Sequence, residues 1–402
     1  MTRRILYTGA FRFPDGDAAA ARVLGIGKML RASGYEVEFL GWEPQGRPTD
    51  LEADGLYRYQ GFLYHSMGDL QEGTASPLRR IFRFLCTGQQ TLKWLRAADL
   101  SKVDAIIAYH GGIGFLLPLQ QFCQRRKIRL LFDCTEWYDP SSLPGGRLGP
   151  AAMDSELRMR LGYPMLGRGI VISSYLYARY AAKGCDLALI PPTVDLADEK
   201  WDRALPTLTP EEPLRIVYAG IPGKKDVLLN AMLGLAILRK MGVEVVFDVI
   251  GPSEAEIFTL LGPHADDVYP VIRDMLRLHG RIPQDKVPSK VSQSHFSLLM
   301  RPKKRYARAG FPTKFVESMA AGVPVLTNAI GDTSKYLKDG INGILLRDCS
   351  TKAFVEAILD ARSIDAKKYL EMRNASLLTA RQYFDYRVHL STQATLVNLL
   401  RK

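Results

Sequence analysis

The chain has 402 residues, of which 47% are hydrophobic and 24% are charged. These values are ordinary for folded proteins, so wholesale disorder is excluded, and the length suggests two domains. The formal net charge is +12, and residues 201–402 carry +8 of it, as expected if that half binds a polyphosphate ligand. No helix-turn-helix, zinc-finger, aromatic RNA-binding or basic-tail pattern accompanies the charge, which disfavours nucleic acid as a partner.

The sequence predicts a reduced, cytoplasmic setting and no metal or other cofactor. The start, MTRRILYTGAF, has two arginines, but its apolar run is too short for a secretory signal. The longest apolar stretch, Ala105 to Phe122, contains a histidine and three glycines, so it predicts a strand and a helix rather than a membrane span. The five cysteines are scattered without a CxxC or Cys/His cluster, so we expect no structural zinc.

The first elements predict a parallel sheet. Ile5–Thr8 and Glu36–Trp42 are typical of strands, and the helical segment Ala18–Arg31 lies between them, which makes a βαβ unit. The loop at residues 9–17 lacks the GxGxxG pattern of dinucleotide-binding folds, and its Asp-Gly-Asp sequence predicts a turn rather than a metal-binding DxD motif. Ligands bind beyond the carboxyl ends of such strands, so this loop is placed to contact one.

Further strands follow before a proline-rich connection. Asp133 and Glu136 lie at and beyond the end of one of them, where acids are well placed for a hydroxylated substrate. The lone His110, after another strand, is interpreted as a hydrogen-bonded core residue. Prolines and acids concentrate in residues 191–213, which predicts the domain boundary. The predicted strands of this part are Asp104–Tyr109, Arg129–Asp133, Gly169–Ser173 and Leu187–Ile190.

Residues 76–98 combine basic side chains with aromatic and aliphatic ones. One interpretation is an amphipathic surface helix that contacts anionic lipid or a lipid-phosphate substrate. The other is a domain helix with a solvated basic face. The first interpretation predicts a peripheral protein at the inner face of the membrane.

The second half repeats the alternation of strands and helices. Arg215–Ala219 predicts a strand and Val227–Met241 a helix, and the loop between them lacks the full GxxxxGK[ST] pattern, so ATP hydrolysis is not supported. The predicted fold class is α/β, with two Rossmann-like domains facing each other across a cleft. The predicted division is an N-terminal domain at 1–200, a C-terminal domain at 201–380, and a C-terminal helix at 381–402 that packs back on the first domain.

The stretch from Arg301 to Leu326 is the strongest candidate for chemistry. Pro312 suits the first turn of a helix, and Gly322 suits the position after its last turn. The start of a helix offers unpaired N–H groups and the positive end of a dipole, which favour phosphate. Lys314 adds a cation there, and Glu317 adds an acceptor for paired hydroxyls. A nucleotide sugar needs both features, and a capped helix with a surface lysine and glutamate is the alternative.

Motifs along almost the whole chain resemble those of a known family. They are CTEWYD and GIVISSYL before the boundary, and YAGIPGKKD, VVFDVIGP, AGFPTKFVESMAAGVPVLTN and DGINGILL after it. This pattern resembles the retaining nucleotide-sugar glycosyltransferases of the GT-B fold, specifically glycosyltransferase family four. The resemblance implies a hexosyltransferase that moves a sugar, without a metal, from a UDP- or GDP-sugar to a glycan or lipid-linked acceptor. The subgroup with AGFPTKFVE is similar to enzymes of bacterial cell-surface or exopolysaccharide assembly.

The resemblance also assigns roles to individual residues. It implies that Lys225 and Lys314 bind the donor pyrophosphate and that Glu317 binds the ribose hydroxyls, and these three are the candidate catalytic residues. The remaining donor-binding candidates are Gly220, Lys224, Ile282, Arg301, Gly310, Phe311, Pro312 and Thr313. The acceptor-binding candidates are Gly16, Asp17, Asp133 and Glu136.

Two positions depart from the family pattern. The first glutamate of its E-x7-E motif, which holds hydroxyls of the donor sugar, is Ala309 here. The arginine expected after the first strand of the second domain is Ile221, and either Arg301 or Lys224 could substitute for it. The first departure motivates an alternative, a catalytically inactive partner subunit of the same fold. An epimerase or phosphorylase would need an acid/base pair or a pyridoxal lysine that the sequence does not display.

Overall fold

The computed structural model describes residues 3–70, 87–201, 206–209, 211–222, 225–390 and 393–401. The chain divides into two compact units. The first comprises Met1–Thr193 together with Tyr386–Lys402, and the second comprises Val194–Asp385. The chain thus leaves the first unit inside the proline-rich connection and returns to it shortly after residue 381.

The first unit is built on an eight-stranded sheet in the order β3-β4-β2-β1-β5-β6-β7-β8. All neighbouring strands are parallel except β3 and β4, two strands that are absent from the sequence-based prediction. The strands are β1 Arg3–Gly9, β2 Tyr35–Gly41, β3 Tyr57–Tyr59, β4 Phe62–Ser66, β5 Val103–Tyr109, β6 Arg129–Cys134, β7 Arg168–Val171 and β8 Asp186–Leu189.

Helices connect these strands. Asp17 caps the first of them, because its side chain accepts a hydrogen bond from the Ala20 N–H. The helices are α1 Ala18–Ala32, α2 Gln89–Ala97, α3 Ile113–Arg126, α4 Pro150–Leu157, α5 Tyr163–Leu166 and α6 Ser174–Ala181, with a π-helical turn at Arg158–Gly162 that joins α4 to α5.

The C-terminal segment completes the core of the first unit. Its last helix, Gln393–Arg401, buries Leu396, Leu399 and Leu400 in the same apolar cluster as Tyr7 of β1. An apolar face buried in this way stabilises the helix far more than its intrinsic propensity does.

The second unit has a six-stranded sheet in the order β11-β10-β9-β12-β13-β14, and every pair is parallel. Its strands are β9 Leu214–Ala219, β10 Val245–Ile250, β11 Leu276–Gly280, β12 Phe296–Leu299, β13 Val325–Asn328 and β14 Gly343–Leu346. Its helices are α7 Leu228–Lys240, α8 Glu254–Leu261, α9 Ala265–Ile272, α10 Val287–Val291, α11 Arg305–Ala309, α12 Thr313–Ala320, α13 Thr333–Tyr336, α14 Thr351–Arg362 and α15 Ala366–Tyr383, and the helix Gln393–Arg401 of the first unit is α16.

The order of the strands indicates where each unit should bind its ligand. In both units the chain builds the sheet outward from a central strand in one direction and then in the other, so the order reverses between β1 and β5 and between β9 and β12. Open parallel sheets bind ligands at the carboxyl ends of the strands beside such a reversal. The two sheets confirm the predicted α/β class with Rossmann-like units. None of the described helices has both the length and the apolar character needed to cross a bilayer.

Candidate functional site

The loop after β9 begins with Gly220, and a larger residue at this position would strain the backbone and displace the Lys314 side chain. Gly220 has a φ of +136°, a conformation that side-chain-bearing residues rarely adopt. A Cβ placed there would lie 3.0 Å from the Lys314 Nζ. The Gly220 N–H also donates to the Ile250 carbonyl at the end of β10. The loop therefore leaves β9 tightly and leaves room for the Lys314 ammonium above the strand end.

One carboxylate collects three donors at this edge of the sheet. Asp226 accepts hydrogen bonds from the Lys314 Nζ at 2.5 Å, the Arg301 Nε at 2.6 Å and the Tyr218 hydroxyl at 2.7 Å. The Lys314 Nζ also lies 4.1 Å from the centroid of the Tyr218 ring. The side chains of Asp226, Lys314 and Arg301 are only 3%, 15% and 13% exposed, so the carboxylate and two cations form a nearly buried cluster. We call Asp226, Lys314, Arg301 and Tyr218 the Asp226 cluster.

The cluster sets the charge states of its members. Burial favours the protonated acid, but the charges of Lys314 and Arg301 outweigh it and lower the pKa of Asp226. Burial, with the charge of Arg301, lowers the pKa of Lys314, and the charge of Asp226 opposes that decrease. Burial and the ionised Asp226 raise the pKa of the Tyr218 hydroxyl. Two cations therefore share one hydrogen-bonded carboxylate within the cluster, which leaves these four residues with an excess of positive charge, and the neighbouring Glu317 carboxylate also acts on Lys314.

Arg301 is held in place through its backbone. The Asn328 side chain, at the end of β13, accepts from the Arg301 N–H at 3.0 Å and donates to the Arg301 carbonyl at 2.8 Å. This two-way bond fixes the chain just beyond β12, so the guanidinium reaches the Asp226 cluster from a rigid base. Of the two residues that could replace the missing family arginine, Arg301 lies beside Lys314, whereas Lys224 is outside the described residues.

The residue before helix α12, Pro312, does not cap the helix with its side chain. Pro312 precedes it in an extended conformation, and no side chain accepts a hydrogen bond from its first turn. Phe311 is buried against the rings of Phe315, Tyr336 and Phe384. The segment 310–313 can therefore meet a ligand through its backbone and the Thr313 hydroxyl, but the Phe311 ring points into an aromatic cluster.

Glu317 lies one turn beyond the start of α12 and is half-buried. Burial raises the pKa of its carboxyl, and the charges of Lys200 and Lys314 oppose that increase. A half-buried carboxylate next to a lysine is suited to accept hydrogen bonds from neutral hydroxyl groups. The predicted combination of Lys314 and Glu317 on one helix end is therefore present in the second unit.

The other described positions of the predicted donor site lie outside the Asp226 cluster. The Lys225 N–H donates to the Pro222 carbonyl and its carbonyl accepts from the Tyr306 hydroxyl at 2.7 Å, so the backbone of Lys225 is held on both sides. Ile282 packs against an apolar cluster that includes Val217. Ala309, where the family has a carboxylate, is fully buried at the end of α11.

Asp226 is the residue of the candidate site that sequence reasoning missed. It follows the two lysines of the loop directly, and an acid beside basic residues in a loop after a parallel strand is a recognisable signal. Its partners Arg301 and Lys314 are 75 and 88 residues away in the sequence. Among the described residues, no group of three or more His, Cys, Asp or Glu side chains is arranged to hold a metal ion.

The first unit contains a cavity of about 560 Å³ beside its own strand reversal. Asp17 and Glu136, two of the predicted acceptor residues, line it. Burial raises the pKa of Asp17, and the hydrogen bond from the Ala20 N–H opposes the increase. Among the described residues, the lining is Ala10, Asp17, Ala18, Ala19, Trp42, Leu70, Thr87, Tyr109, His110, Gly111, Gly112, Glu136, Tyr138 and Arg158.

Two residues of the cavity wall carry a buried donor. The Trp42 Nε1 and the Arg158 Nε have no hydrogen-bond partner among the described residues. Both atoms are themselves inaccessible, so they lie behind the cavity surface and not on it. The side chains that the cavity offers as acceptors to a hydroxylated ligand are Asp17 and Glu136.

His110 also lines the cavity, which corrects its interpretation as a core residue. Its φ of +53° is unusual for a side-chain-bearing residue, and its Nε2 lies 2.6 Å from the Thr135 hydroxyl. Burial and the charge of Arg158 lower its pKa to about 4. His110 is therefore neutral near pH 7, with one ring nitrogen engaged by Thr135.

Asp133 and Gly16 do not line the cavity. Asp133 is fully buried, and its two oxygens accept hydrogen bonds from the Arg22 guanidinium at 2.7–3.1 Å and from the Tyr7 hydroxyl at 2.6 Å. This acid therefore neutralises an arginine inside the sheet instead of facing a ligand. The Gly16 N–H closes a turn onto the Arg12 carbonyl, and a Cβ at Gly16 would lie 2.7 Å from the Arg12 Cβ.

Only part of the basic segment 76–98 lies within the described residues, which resume at 87. In helix α2 the apolar residues Leu92 and Leu95 are buried, whereas Lys93 and Arg96 are exposed. Trp94 packs against the ring of His65 at 5.0 Å. This portion has a solvated basic face, and its apolar side chains point into the unit.

A family model identifies the second unit. Residues 228–377 match the family described as glycosyl transferases group 1. That span contains Arg301, Lys314 and Glu317. The second unit therefore carries a group 1 glycosyl transferase domain, and the chain is a glycosyltransferase. No curated protein matched the sequence.

Solved structures match the fold over nearly the whole chain. A sucrose-phosphate synthase from Thermosynechococcus elongatus is 15% identical, with a TM-score of 0.74 over 100% of this chain and 99% of the other. HepE of Anabaena, solved in complex with UDP and glucose, is 13% identical, with a TM-score of 0.65 over 98% and 99%. WaaG, a glycosyltransferase involved in lipopolysaccharide biosynthesis, is 13% identical, with a TM-score of 0.63 over 98% and 99%. The fold is therefore the two-domain GT-B fold.

Proposed function

We propose that the protein transfers a sugar, with retention of configuration, from a nucleoside diphosphate sugar to a hydroxyl of a glycan or lipid-linked acceptor. The observation that carries this proposal is the Asp226 cluster. Two cations share one carboxylate at the carboxyl ends of β9 and β12, where the strand order reverses and α12 begins. A diphosphate is the natural ligand for this surplus of positive charge.

The chemistry requires stabilisation of the leaving diphosphate. As the bond between the sugar carbon and the phosphate oxygen breaks, negative charge develops on the diphosphate, and Lys314, Arg301 and Lys225 neutralise it. The N–H groups at the start of α12 add their partial positive charge. The acceptor oxygen forms the new bond on the same face of the sugar, and its proton passes to the departing phosphate oxygen. We infer that side chains supply this charge without a resident metal.

Glu317 and the neighbouring backbone complete the donor site. We propose that the Glu317 carboxylate accepts hydrogen bonds from the two ribose hydroxyls, and that the segment 310–313 meets the donor through its backbone and the Thr313 hydroxyl. The complexes of HepE with UDP and with UDP-glucose support a uridine donor. Ala309 offers no carboxylate to the donor sugar, so other groups must determine which sugar is bound.

The acceptor belongs in the cavity of the first unit. Asp17 and Glu136 can accept hydrogen bonds from its hydroxyls. The neutral His110 can donate or accept a hydrogen bond. WaaG and HepE are comparable in fold, and the role of WaaG in lipopolysaccharide biosynthesis supports assembly of a surface polysaccharide as the setting.

The direct test replaces the two residues that define the donor site. Lys314→Ala should lose at least 100-fold in kcat/KM for sugar transfer, the scale of one lost oxyanion stabiliser, and Glu317→Ala should lose most transfer activity because the ribose hydroxyls lose their acceptor. The matched controls are Lys352→Ala and Glu356→Ala, an exposed lysine and glutamate on α14 of the same unit. The assay measures sugar transfer through the amount of nucleoside diphosphate released. Near-normal turnover in both site variants would refute the donor-site assignment, and no turnover in the native enzyme with any nucleotide sugar would favour an inactive partner subunit.

A further inference from the structure

A row of exposed apolar side chains runs along the helical segment 150–166 of the first unit. Met153, Leu157, Leu161 and Met165 recur every four residues and are 58%, 44%, 56% and 58% exposed. Leu148, just before the segment, is 90% exposed. Isolated exposed leucines are common, but a continuous row of large apolar residues on one surface indicates a docking site. We call these five residues the apolar stripe.

The helix geometry explains why the stripe stays on one side. A spacing of four residues slightly exceeds the 3.6 residues of an α-helical turn, so such a row drifts around a regular helix. The π-helical turn at Arg158–Gly162 holds more residues per turn and offsets the drift in the middle of the segment. The opposite side, with Ala152, Met159 and Tyr163, is buried in the unit.

The acids of this segment do not belong to the exposed face. The Asp154 carboxylate accepts from the Ile113 N–H at 2.7 Å. Glu156 accepts from the Trp137 Nε1 at 3.0 Å and from the Arg160 Nε at 2.6 Å. Of the residues 147–166, eight are exposed, and they are Arg147, Leu148, Pro150, Met153, Leu157, Arg160, Leu161 and Met165. The exposed face is therefore apolar with two arginines and no carboxylate.

The neighbouring helix extends this face with more positive charge. Helix α3 packs beside the segment, since the Gln120 side chain donates to the Met165 carbonyl and Gly162 lies against Ile113. Its exposed residues include Leu117, and its C-terminal end exposes Arg125, Arg126 and Lys127. No acidic side chain is exposed on α3 or in residues 147–166. The combined surface presents aliphatic side chains together with four exposed cations, Arg147, Arg125, Arg126 and Lys127, while the fifth, Arg160, is paired with Glu156.

We propose that the apolar stripe docks this protein onto an anionic lipid surface. A helix that lies in the interface buries its apolar side between the headgroups, while cations at its border attract anionic lipid. A second copy of the chain fits less well, because a two-fold contact would place the same cations opposite one another with no acids between them. Partly hydrated headgroup phosphates provide the negative charge that this surface lacks.

The surface differs from the basic segment 76–98, the membrane contact predicted from the sequence. In the described part of that segment Leu92 and Leu95 are buried, so that part presents charge without an exposed apolar row. The apolar stripe presents both. It contains no residue of the Asp226 cluster or of the cavity wall, so docking and transfer can be tested separately.

The test is co-sedimentation of the full-length protein with vesicles. One vesicle type is phosphatidylcholine, and the other is an equimolar mixture of phosphatidylcholine and phosphatidylglycerol. We expect binding to the mixed vesicles, and at least a tenfold weaker affinity for the variant Leu157→Glu/Leu161→Glu. The matched control is Leu370→Glu/Leu378→Glu on α15, where both leucines are more than half exposed, and it should bind like the native protein. Unchanged thermal midpoints and turnover with a soluble acceptor establish that both variants are folded.

Charge neutralisation is checked with Arg125→Gln/Arg126→Gln, which should weaken binding and reduce its salt dependence. The proposal is overturned if the native protein binds neither vesicle, or if the stripe variant binds as well as the control. It is also overturned if only neutralisation of Arg79, Arg80 and Arg83 abolishes binding. A native dimer that the stripe variant converts to a monomer would identify a second copy as the occupant instead. The vesicle-binding and oligomer readouts need neither donor nor acceptor, so they stand apart from the transfer assays.

Discussion

Replacing Asp226 by asparagine removes the one negative charge that Lys314 and Arg301 share, while the size and polarity of the side chain are kept. Both cations are at least 85% buried by their exposed fractions of 15% and 13%. Breaking a buried ion pair from one side costs about 3–5 kcal/mol, because a buried charge is left uncompensated. For a unit of this size, each kcal/mol corresponds to roughly 2–4 °C. The melting midpoint of Asp226→Asn should therefore fall by roughly 6–20 °C at neutral pH.

The pH dependence of this effect has a defined sign. The folded-state pKa of Asp226 is lowered, so its carboxylate stabilises the fold above the pKa of the unfolded chain. That stabilisation is lost as the pH falls through the lowered folded-state pKa. The difference in midpoint between the native protein and Asp226→Asn should therefore shrink in acid. Tyr218→Phe, which removes one donor and no charge, should cost only about 1 kcal/mol and serves as the control.

Ligand addition connects this prediction to the donor site. If a diphosphate binds the two cations, it supplies the charge that Asp226→Asn has lost. UDP or GDP should then raise the midpoint of the variant more than that of the native protein, measured by thermal shift at equal ligand concentration. An unchanged midpoint at pH 7 would refute the energetic reasoning. A fall in midpoint without any diphosphate response would instead refute the link between the Asp226 cluster and the donor.

Three further predictions concern the first unit. Burial raises the pKa of Glu43 to about 7, so stability should fall by about 3 kcal/mol as the pH rises from about 4.5 to 7, because the native state keeps a proton that the unfolded chain releases; Glu43→Gln should flatten the curve of melting midpoint against pH. Arg22→Met should destabilise the protein to urea by about 3–5 kcal/mol because it leaves Asp133 buried without a cation, and adding Asp133→Asn should recover part of the loss. His110 has a pKa of about 4, so His110→Asn should change kcat/KM by a constant factor between about pH 6 and 8; a lost pH limb in that range would contradict the assignment.

The parallel sheets and the phosphate-ready helix could be predicted because their signals are local. Apolar strands alternate with helices, and Pro312, Lys314 and Glu317 lie within six residues of one another. Helix periodicity and helix-end chemistry depend on neighbours in the sequence, so a single chain displays them. The strands β3 and β4 escaped prediction because three and five residues are too few to display a clear alternation of apolar and polar side chains.

Pairs that form across the sheet could not be predicted in the same way. Asp133 looks like a ligand for a hydroxylated substrate because it ends a parallel strand, but Arg22 arrives from 111 residues away and takes its charge. His110 was misjudged for the converse reason, because a lone histidine does not show which cavity its strand end will face. An ionisable residue at a strand end can thus be a structural counter-ion or a binding group, and only the partner decides which.

The Asp226 cluster shows how that distinction bears on function. Asp133 has one guanidinium and a tyrosine hydroxyl, so its charge is balanced and its site is closed. Asp226 has two cations and a tyrosine hydroxyl, so its site keeps a net positive charge after every internal bond is made. Both acids lie beside central strands of their sheets, and both are buried. What separates them is the unbalanced charge, and a diphosphate can balance it only where the cations remain partly exposed, as Lys314 and Arg301 do.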